Sequence, residues 1–403
     1  YSIHLATLNK AMTKYVGFGN FTFLFKRETF WMVVEQSCIF AITAVIFKAL
    51  IGFIVAHLVH TIPSEGQRKW RGMLLVPWVI PPALSTLAWL WLFDPSYSAF
   101  NYVIEGLGGS PNVTMVPDPD TFTLLPWAPK TALVFADLYM NSGSLFPLAP
   151  RTILRNSLAK LAEQNYKLVA GIEMEWYLTR IVDDLLGRCS LGAPGTPADP
   201  PEVAPVARGY NYLLVDHLDE IDDALAPIRD SVLAMGLPLR SFDDEWAPSQ
   251  VETTFDVLEG MAAADAASLF RMAVKQTAKR HGHLASFMCT PAIAGFYASG
   301  WHLHASIADV TTGENLMIPG EGEPLSKLGQ HYVGGQLAHG AAASVFTTPT
   351  INGYRRRRPY SLAPDRLTWA YDNRAAMMRV ISAPGDQASH VENRVGEAAA
   401  NPY

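Results

Sequence analysis

The stretch Gly171–Leu178 reads GIEMEWYL, with Glu173 and Glu175 two residues apart inside an apolar and aromatic run. Such a run reads as a β-strand, and the strand period of two puts both carboxylates on one face. Two carboxylates side by side repel, and burying them is costly unless a cation sits between them. For an isolated pair the alternative is a solvated edge strand. Further along, Glu245 and Glu252 stand in EWAPSQVE, His302 and His304 in SGWHLHAS, and Glu392 in HVENRVG, accompanied by Arg356, Arg374, Arg379 and Arg394. Carboxylates with one or two imidazoles and no thiolate suit Mg²⁺ or Mn²⁺. Arginines beside divalent ions are what phosphoryl transfer requires, because charge spreads over the phosphoryl oxygens. These residue types imply an ATP-using enzyme with two metal sites.

The 403 residues allow two to four domains and a sizeable core. Cys38, Cys189 and Cys289 are far apart and lack metal-ligand spacing, which argues against a disulfide framework and against zinc. Formal charge is −6, unevenly shared: residues 1–109 carry 8 Lys/Arg against 5 Asp/Glu, and residues 110–403 carry 23 against 32. That asymmetry suggests two pieces of different origin. No nucleic-acid partner is expected. There is no initiator Met and no signal-peptide pattern, so the front end reads as cut.

In the first piece, residues 38–60 hold Lys48 as their sole Lys, Arg, Asp or Glu, and residues 73–93 hold none. Each is long enough to cross a hydrocarbon core of roughly 30 Å. Buried core helices are the alternative, but helices of that length in soluble proteins rarely lack a polar face. Two membrane spans are therefore expected, the second kinked by Pro77, Pro81 and Pro82. The loop between them carries Arg68, Lys69 and Arg71 against Glu65, which places it on the cytoplasmic side of an inner membrane. GFGNFTFLF, the basic loop and MLLVPWVIPPALSTLAWLWLFDPSYSAFNYVIEGLG resemble a permease subunit of a sugar-type ABC importer. The resemblance covers two spans of about six and no ATPase-gripping loop, so this all-α fragment would not transport alone.

After the turn-rich GLGGSPN (residues 106–112), prolines break strand-like runs, and an amphipathic helix is expected over residues 150–165. Residues 187–207, rich in Pro, Gly and Ala, read as a loop; residues 216–235 and 265–280 read as helices. Strands and helices interleave without regular alternation or a Gly-rich phosphate loop, which implies α+β. PDPDTFTLLPW, GIEMEWYL, EWAPSQVE, SGWHLHAS, NGYRRRRP, DNRAAMMRV and HVENRVGEAAANPY, in that order, resemble the catalytic domain of the glutamine synthetase family. Among its branches the likeness is to ligases that join glutamate to larger amines such as polyamines, ethanolamine or alkylamines.

The resemblance implies an antiparallel sheet forming a partial barrel with flanking helices over residues 110–403. It implies Glu175, Glu245 and Glu252 as ligands of one metal, and Glu173, His302 and Glu392 as ligands of a second that bridges ATP phosphates. It puts His304 and Ser306 at the nucleotide, Arg356 and Arg394 at the glutamate carboxylate with Gly300 lining that pocket, and Arg374 and Arg379 at the transferred phosphoryl group. Each has a plainer alternative. The two histidines could be an exposed polar face, Arg355–Arg358 a solvated turn, and Glu252 a helix-start carboxylate. Of the four arginines, Arg356 alone is expected to point inward. His281, His283 and the cysteines are assigned to packing.

The implied activity joins the glutamate γ-carboxylate to ammonia or, better, an organic amine through a γ-glutamyl phosphate, with ATP as co-substrate, in the cytoplasm. Three departures stand out. Where family members have a glutamate that helps deprotonate ammonium, PYSLAP has Leu362, which favours a bulkier, partly apolar amine. The N-terminal β-grasp domain is missing, and so is the C-terminal end, which puts the family's homo-oligomeric ring in question. Inserted as the basic loop dictates, the spans would deliver the enzyme piece outside the cytoplasm, away from ATP. The expectation is a chimera of two gene fragments; a membrane permease component or an inactive fragment are the other readings.

Overall fold

The computed structural model describes residues 4–7, 10–15, 28–63 and 113–403 except 141, 186–198 and 359–360, with isolated positions at 18, 22, 25, 26, 66, 67 and 70. The chain divides into two compact units, Tyr1–Pro111 and Asn112–Tyr403. In the first, β1 (His4–Thr7) and β2 (Lys10–Tyr15) pair antiparallel, with His4 opposite Tyr15. This hairpin corrects the all-α expectation; Thr13 and Tyr15 are good strand formers. Helix α1 (Glu28–Thr61) contains the first expected span and begins ten residues earlier, since no Gly or Pro interrupts residues 28–37. Over Phe30–Thr61 it is long and apolar enough to cross a membrane, and Ile39, Phe40, Val45 and Phe53 are exposed. The expected second span, residues 73–93, lies outside the described residues, and so does Cys189. Cys38 and Cys289 are free thiols.

In the second unit the strands are β3 (Thr114–Pro117), β4 (Thr123–Leu124), β5 (Ala132–Leu133), β6 (Ala136–Tyr139), β7 (Tyr166–Asp183), β8 (Glu202–Pro205), β9 (Leu239–Asp244), β10 (Gln250–Phe255), β11 (Leu258–Glu259), β12 (His283–Ser286), β13 (Gly300–Asp309), β14 (Trp369–Tyr371), β15 (Met378–Ile381) and β16 (His390–Glu397). The helices are α2 (Pro150–Ala162), α3 (Val215–Ala234), α4 (Gly260–Arg280) and α5 (Lys327–Thr347). Ten strands make one sheet, in the order β14-β15-β16-β13-β7-β10-β9, with β8, β11 and β12 also paired to the long β7. All pairings are antiparallel except β14 with β15. Strand β8 falls inside the stretch expected to be a loop; β7 extends far enough to offer Glu202–Pro205 a pairing edge.

Alternation along β7 sorts the sheet into two faces. Ile172, Met174, Trp176 and Leu178 are buried and pack on α3 and α4 through Ile221, Leu225, Ile228, Phe270 and Val274. Trp176 stacks on Phe287 with ring centroids 5.9 Å apart and donates its indole N–H to Thr253 Oγ1 at 2.9 Å. A smaller core under α5 joins Ile307, Met317, Val333, Met377 and Val391. The β3–β6 segment is tied to α4 by buried Arg151, which pairs with Asp118 at 2.8 Å, Asp137 at 2.9 Å and Asp265 at 3.0 Å. With one apolar face covered, a one-residue slip of β7 would exchange that core for the carboxylates, so the register is strongly specified.

Candidate active site

The opposite face of the sheet carries the chemistry, and strand register assembles it. On β7 and β10, Glu175 lies directly across from Glu252. On β7 and β13, Glu173 lies across from His302, and on β13 and β16, His304 lies across from Glu392. On β15 and β16, Arg379 lies across from Glu392. Gly171 faces His304 on the neighbouring strand, where a Cβ would lie 3.2 Å from that of His304, so the glycine gives the imidazole room. Of these, Glu173, Glu175, Glu252, His302 and Arg379 line a cavity of about 330 Å³ with Glu245, Gln250, Arg356, Arg374 and Arg394.

Two groups of donors each gather within 4.8 Å: Glu173, His302 and Glu392, and Glu175, Glu252 and His302. The first is the set implied for one metal. The second holds Glu175 and Glu252 but takes His302 in place of Glu245. Glu245 follows the end of β9 and lines the same cavity, with its Oε2 accepting from the Trp246 N–H at 3.0 Å.

His302 donates from Nδ1 to Glu173 Oε1, while its Nε2 accepts from Arg356 Nη2 at 3.1 Å. That pair of bonds assigns the proton to Nδ1. Glu175 Oε2 accepts from the Gly300 N–H at 2.8 Å and from Gln250 Nε2 at 3.3 Å. Fully buried Glu392 accepts from Arg394 Nη1 and from Arg379 Nη1, the latter at 3.1 Å. Arg379 is also held by Asp372 at 2.9 Å through Nε. Of the four consecutive arginines, only Arg356 is buried; it donates to the carbonyls of Gly396 at 2.8 Å and Arg394 at 3.2 Å. Gly300 is required there, because a Cβ would sit 1.8 Å from Arg356 Nη1. Arg374 is exposed at the cavity and accepts Arg394 Nε through its carbonyl at 3.0 Å.

Charge in this cavity is out of balance on its own. Burial, then the charges of Glu173, Glu175 and Glu245, push the Glu252 carboxyl far above its ordinary value. Burial, then the charge of Glu175, push Glu245 up to about 7. Burial alone would raise Glu173 too, but the charges and hydrogen bonds of His302 and His304 outweigh it and hold that carboxyl far below the usual range. Carboxylates forced to keep protons at neutral pH, with an imidazole among them and no thiol, form an oxygen-rich set suited to Mg²⁺ or Mn²⁺. The residues fit divalent metal.

His304 donates from Nε2 to Glu173 Oε2 at 2.9 Å, and its Nδ1 lies 3.0 Å from His390 Nε2. With Ser306, Gly171 and Arg240 it lines a second cavity of about 630 Å³. Glu252 lies within β10, not at a helix start. Sequence reasoning passed over Gln250, His390 and Asp372. Gln250 was within reach, being two residues from Glu252 in the same quoted motif; the other two become visible only through contacts across the sheet.

A profile described as "Glutamine synthetase, catalytic domain" matches residues 147–403. The chain belongs to the glutamine synthetase family. It is 57% identical over 317 residues to a gamma-glutamylanilide synthase from Acinetobacter sp, covering 78% of this chain and 63% of that protein. It is 30% identical over 310 residues to a glutamate–isopropylamine ligase from Pseudomonas sp, covering 75% of this chain and 65% of that one. A solved structure of GmaS with ADP superposes with a TM-score of 0.60 at 27% identity, over 72% of this chain and 64% of that one. The chain thus spans just under two thirds of these relatives. The matches give a glutamine-synthetase-like α+β fold to the second unit. None of these relatives is a permease.

Proposed function

We propose that residues 112–403 form the catalytic part of an ATP-dependent ligase that joins the γ-carboxylate of glutamate to an organic amine. The observation that carries this is the register-built set of Glu173, Glu175, Glu252, His302 and Glu392 on one sheet face, in a member of the glutamine synthetase family. Glu175 and Glu252 with Glu245 would hold one divalent ion, and Glu173, His302 and Glu392 a second. Bound there, the ions supply charge neutralisation for the transferring phosphoryl group.

The glutamate γ-carboxylate attacks the γ-phosphorus of ATP and ADP leaves, giving γ-glutamyl phosphate. The amine nitrogen then attacks the acyl carbon, phosphate leaves and the nitrogen loses a proton, giving the amide. Arg379 and Arg374 stabilise the transferring phosphoryl oxygens, while Arg394 and Arg356, beside Gly300, orient the glutamate carboxylate. His304 and Ser306 hold the nucleotide, supported by their shared 630 Å³ cavity. The rest of the cavity excludes water, which would hydrolyse the acyl phosphate. Organic amines are favoured over ammonium because Leu362 stands at the cavity in place of a base, and because the 57% identical relative is named for an anilide. A ring of such chains, as in the family, is part of the same proposal.

The test is phosphate release and mass detection of the amide from ATP, glutamate, Mg²⁺ or Mn²⁺ and a panel of amines. An amide formed from at least one organic amine is expected. Phosphate release that does not depend on glutamate would refute the reading.

A second reading concerns residues 1–109, as a membrane-inserted fragment of permease type joined to a cytoplasmic enzyme. It rests on the resemblance of that segment and on the exposed apolar surface of α1. Release of the full chain from membranes by alkaline carbonate would refute it.

A further inference from the structure

We infer that Glu397 is a positioning residue that selects Arg356, out of the consecutive Arg355–Arg358, as the guanidinium that enters the carboxylate cavity. What Arg356 does there, orienting the glutamate carboxylate, rests on the ligase reading above; how it is placed does not. Glu397 ends β16 and is fully buried. A carboxylate out of water needs partners, and a cation is the ordinary one. Among the described residues its hydrogen bonds come from Thr350 alone: Oε1 accepts from the Thr350 N–H at 3.0 Å and Oε2 from the Thr350 hydroxyl at 2.8 Å. Arg271, which its charge reaches, donates instead to the carbonyls of Ala400 at 2.7 Å and of Ala398.

Thr350 passes the restraint on. Its hydroxyl oxygen also accepts from the N–H of Gly353, the residue that opens the 3-10 turn Gly353–Arg356, at 3.0 Å. Gly353 lies so close that a Cβ would stand 1.9 Å from Glu397 Oε2, so only glycine fits. Between them Asn352 is pinned in both directions, accepting from the Thr290 N–H at 2.7 Å and donating to the Thr290 carbonyl at 2.8 Å. The turn is fixed at three residues before the first arginine. The tip of Arg356 is fixed by the same strand, because its Nη1 donates at 2.8 Å to the carbonyl of Gly396, the neighbour of Glu397. Strand β16 thus holds this arginine at root and tip.

Such a clamp decides which arginine points inward. A 3-10 turn advances about 120° per residue, so a rotation of this turn by one residue would present Arg355 or Arg357 to the cavity. As built, Arg356 is 5% exposed while Arg355 and Arg358 face solvent. Arg357 lies over the Tyr354 ring, 5.4 Å from its centroid, and donates to Thr348 Oγ1 at 2.6 Å. Misplacing a substrate-orienting group by about 1 Å costs on the order of 100-fold. Glu397 touches no reacting group and acts through Arg356.

The test uses the full chain with Glu397→Gln, Thr350→Val and Thr350→Ser. Phenylglyoxal labelling mapped by mass spectrometry reads which arginines are open, with buried Arg151 as the control for unfolding. Expected is Arg356 protected in wild type and in Thr350→Ser. In Glu397→Gln and Thr350→Val it should react at a rate near that of Arg355, with Arg151 still protected. In turnover with ATP, Mg²⁺ and the amine panel above, those two variants should raise KM for glutamate about tenfold or more and leave KM for ATP unchanged. Arg356 protected in both variants, Arg356 open in wild type, or the two KM values rising together would overturn the inference. If Glu397→Gln also opens Arg151 it has unfolded, and Thr350→Val, which exchanges one hydroxyl for a methyl, decides. If wild type releases no phosphate that depends on glutamate, the ligase reading fails, and the labelling pattern alone supports or overturns the placement of Arg356.

Discussion

The carboxylate cavity makes the stability of the metal-free protein fall as pH rises through neutrality, the reverse of the usual behaviour of acidic groups. Glu245 has a folded value near 7 against an ordinary 4.5. Between those values the unfolded chain has already lost its proton and the folded one keeps it, so unfolding releases a proton and higher pH favours it. From about pH 5.5 to 7, at ~1.4 kcal/mol per pH unit, this group alone costs about 2 kcal/mol. Glu252, raised further, adds a loss of the same sign that continues above pH 7. Glu173 is depressed, so its stabilising contribution is complete above the ordinary 4.5 and adds no slope in this window. For a domain of this size about 2 kcal/mol is a Tm change of roughly 4–8 °C. Differential scanning fluorimetry between pH 5.5 and 8, in chelator and in excess Mn²⁺, reads it. The Tm in chelator should fall with pH, while the gain from metal grows, because binding no longer competes with protons. Glu245→Gln should make the slope below pH 7 shallower by the share of Glu245, leaving that of Glu252. An unchanged slope in Glu245→Gln, or equal slopes with and without metal, would refute the reasoning.

Replacing Glu392 by Ala leaves buried Arg394 without its carboxylate partner and Arg379 with Asp372 alone, and should cost about 3–5 kcal/mol in urea unfolding. Gly300→Ala forces Arg356 Nη1 from its place, removes the donor to His302 Nε2, and should lower Mn²⁺ affinity by about tenfold or more, as loss of such supporting contacts does; titration calorimetry measures it. Trp176→Ala empties the core behind the site and should cost about 3–5 kcal/mol, read from thermal or urea unfolding.

What could be read from the sequence followed periodicity. The Glu-x-Glu and His-x-His spacings do sit on strands, with the carboxylates on one face and Ile172, Met174 and Trp176 on the other. The helix expected over residues 216–235 is observed as Val215–Ala234. The one expected over 265–280 starts earlier, at Gly260, because Met261 and Ala262–Ala264 favour helix and nothing interrupts them. What could not be read depended on partners distant in the chain. Strand β8 exists because β7 is long enough to pair with it, and composition alone gives Pro, Gly and Ala no reason to be a strand. His302 joins Glu175 and Glu252 in the second donor group because strand register fixes it there, while Glu245 reaches the same cavity from the turn after β9. Tyr212 and Leu213, which line the 330 Å³ cavity, are placed by the backbone hydrogen bonds of Tyr210 to Trp246 and Leu213 to Asp244 and by the close approach of Gly209 to Pro248, none of which has a local signature.

This division has a consequence for how such a site changes its amine. The donor groups and Glu392's arginines are carried mainly by β7, β10, β13, β15 and β16, where a shift of one side chain would require a shift of register and the loss of a core. The mouth of the cavity, with Tyr212, Leu213 and Leu362, is carried by loops held by a few bonds, and these side chains face solvent. A substitution at Leu362 or Tyr212 alters what sits at the cavity mouth and leaves the sheet register untouched. Loops tolerate such exchange where cores do not.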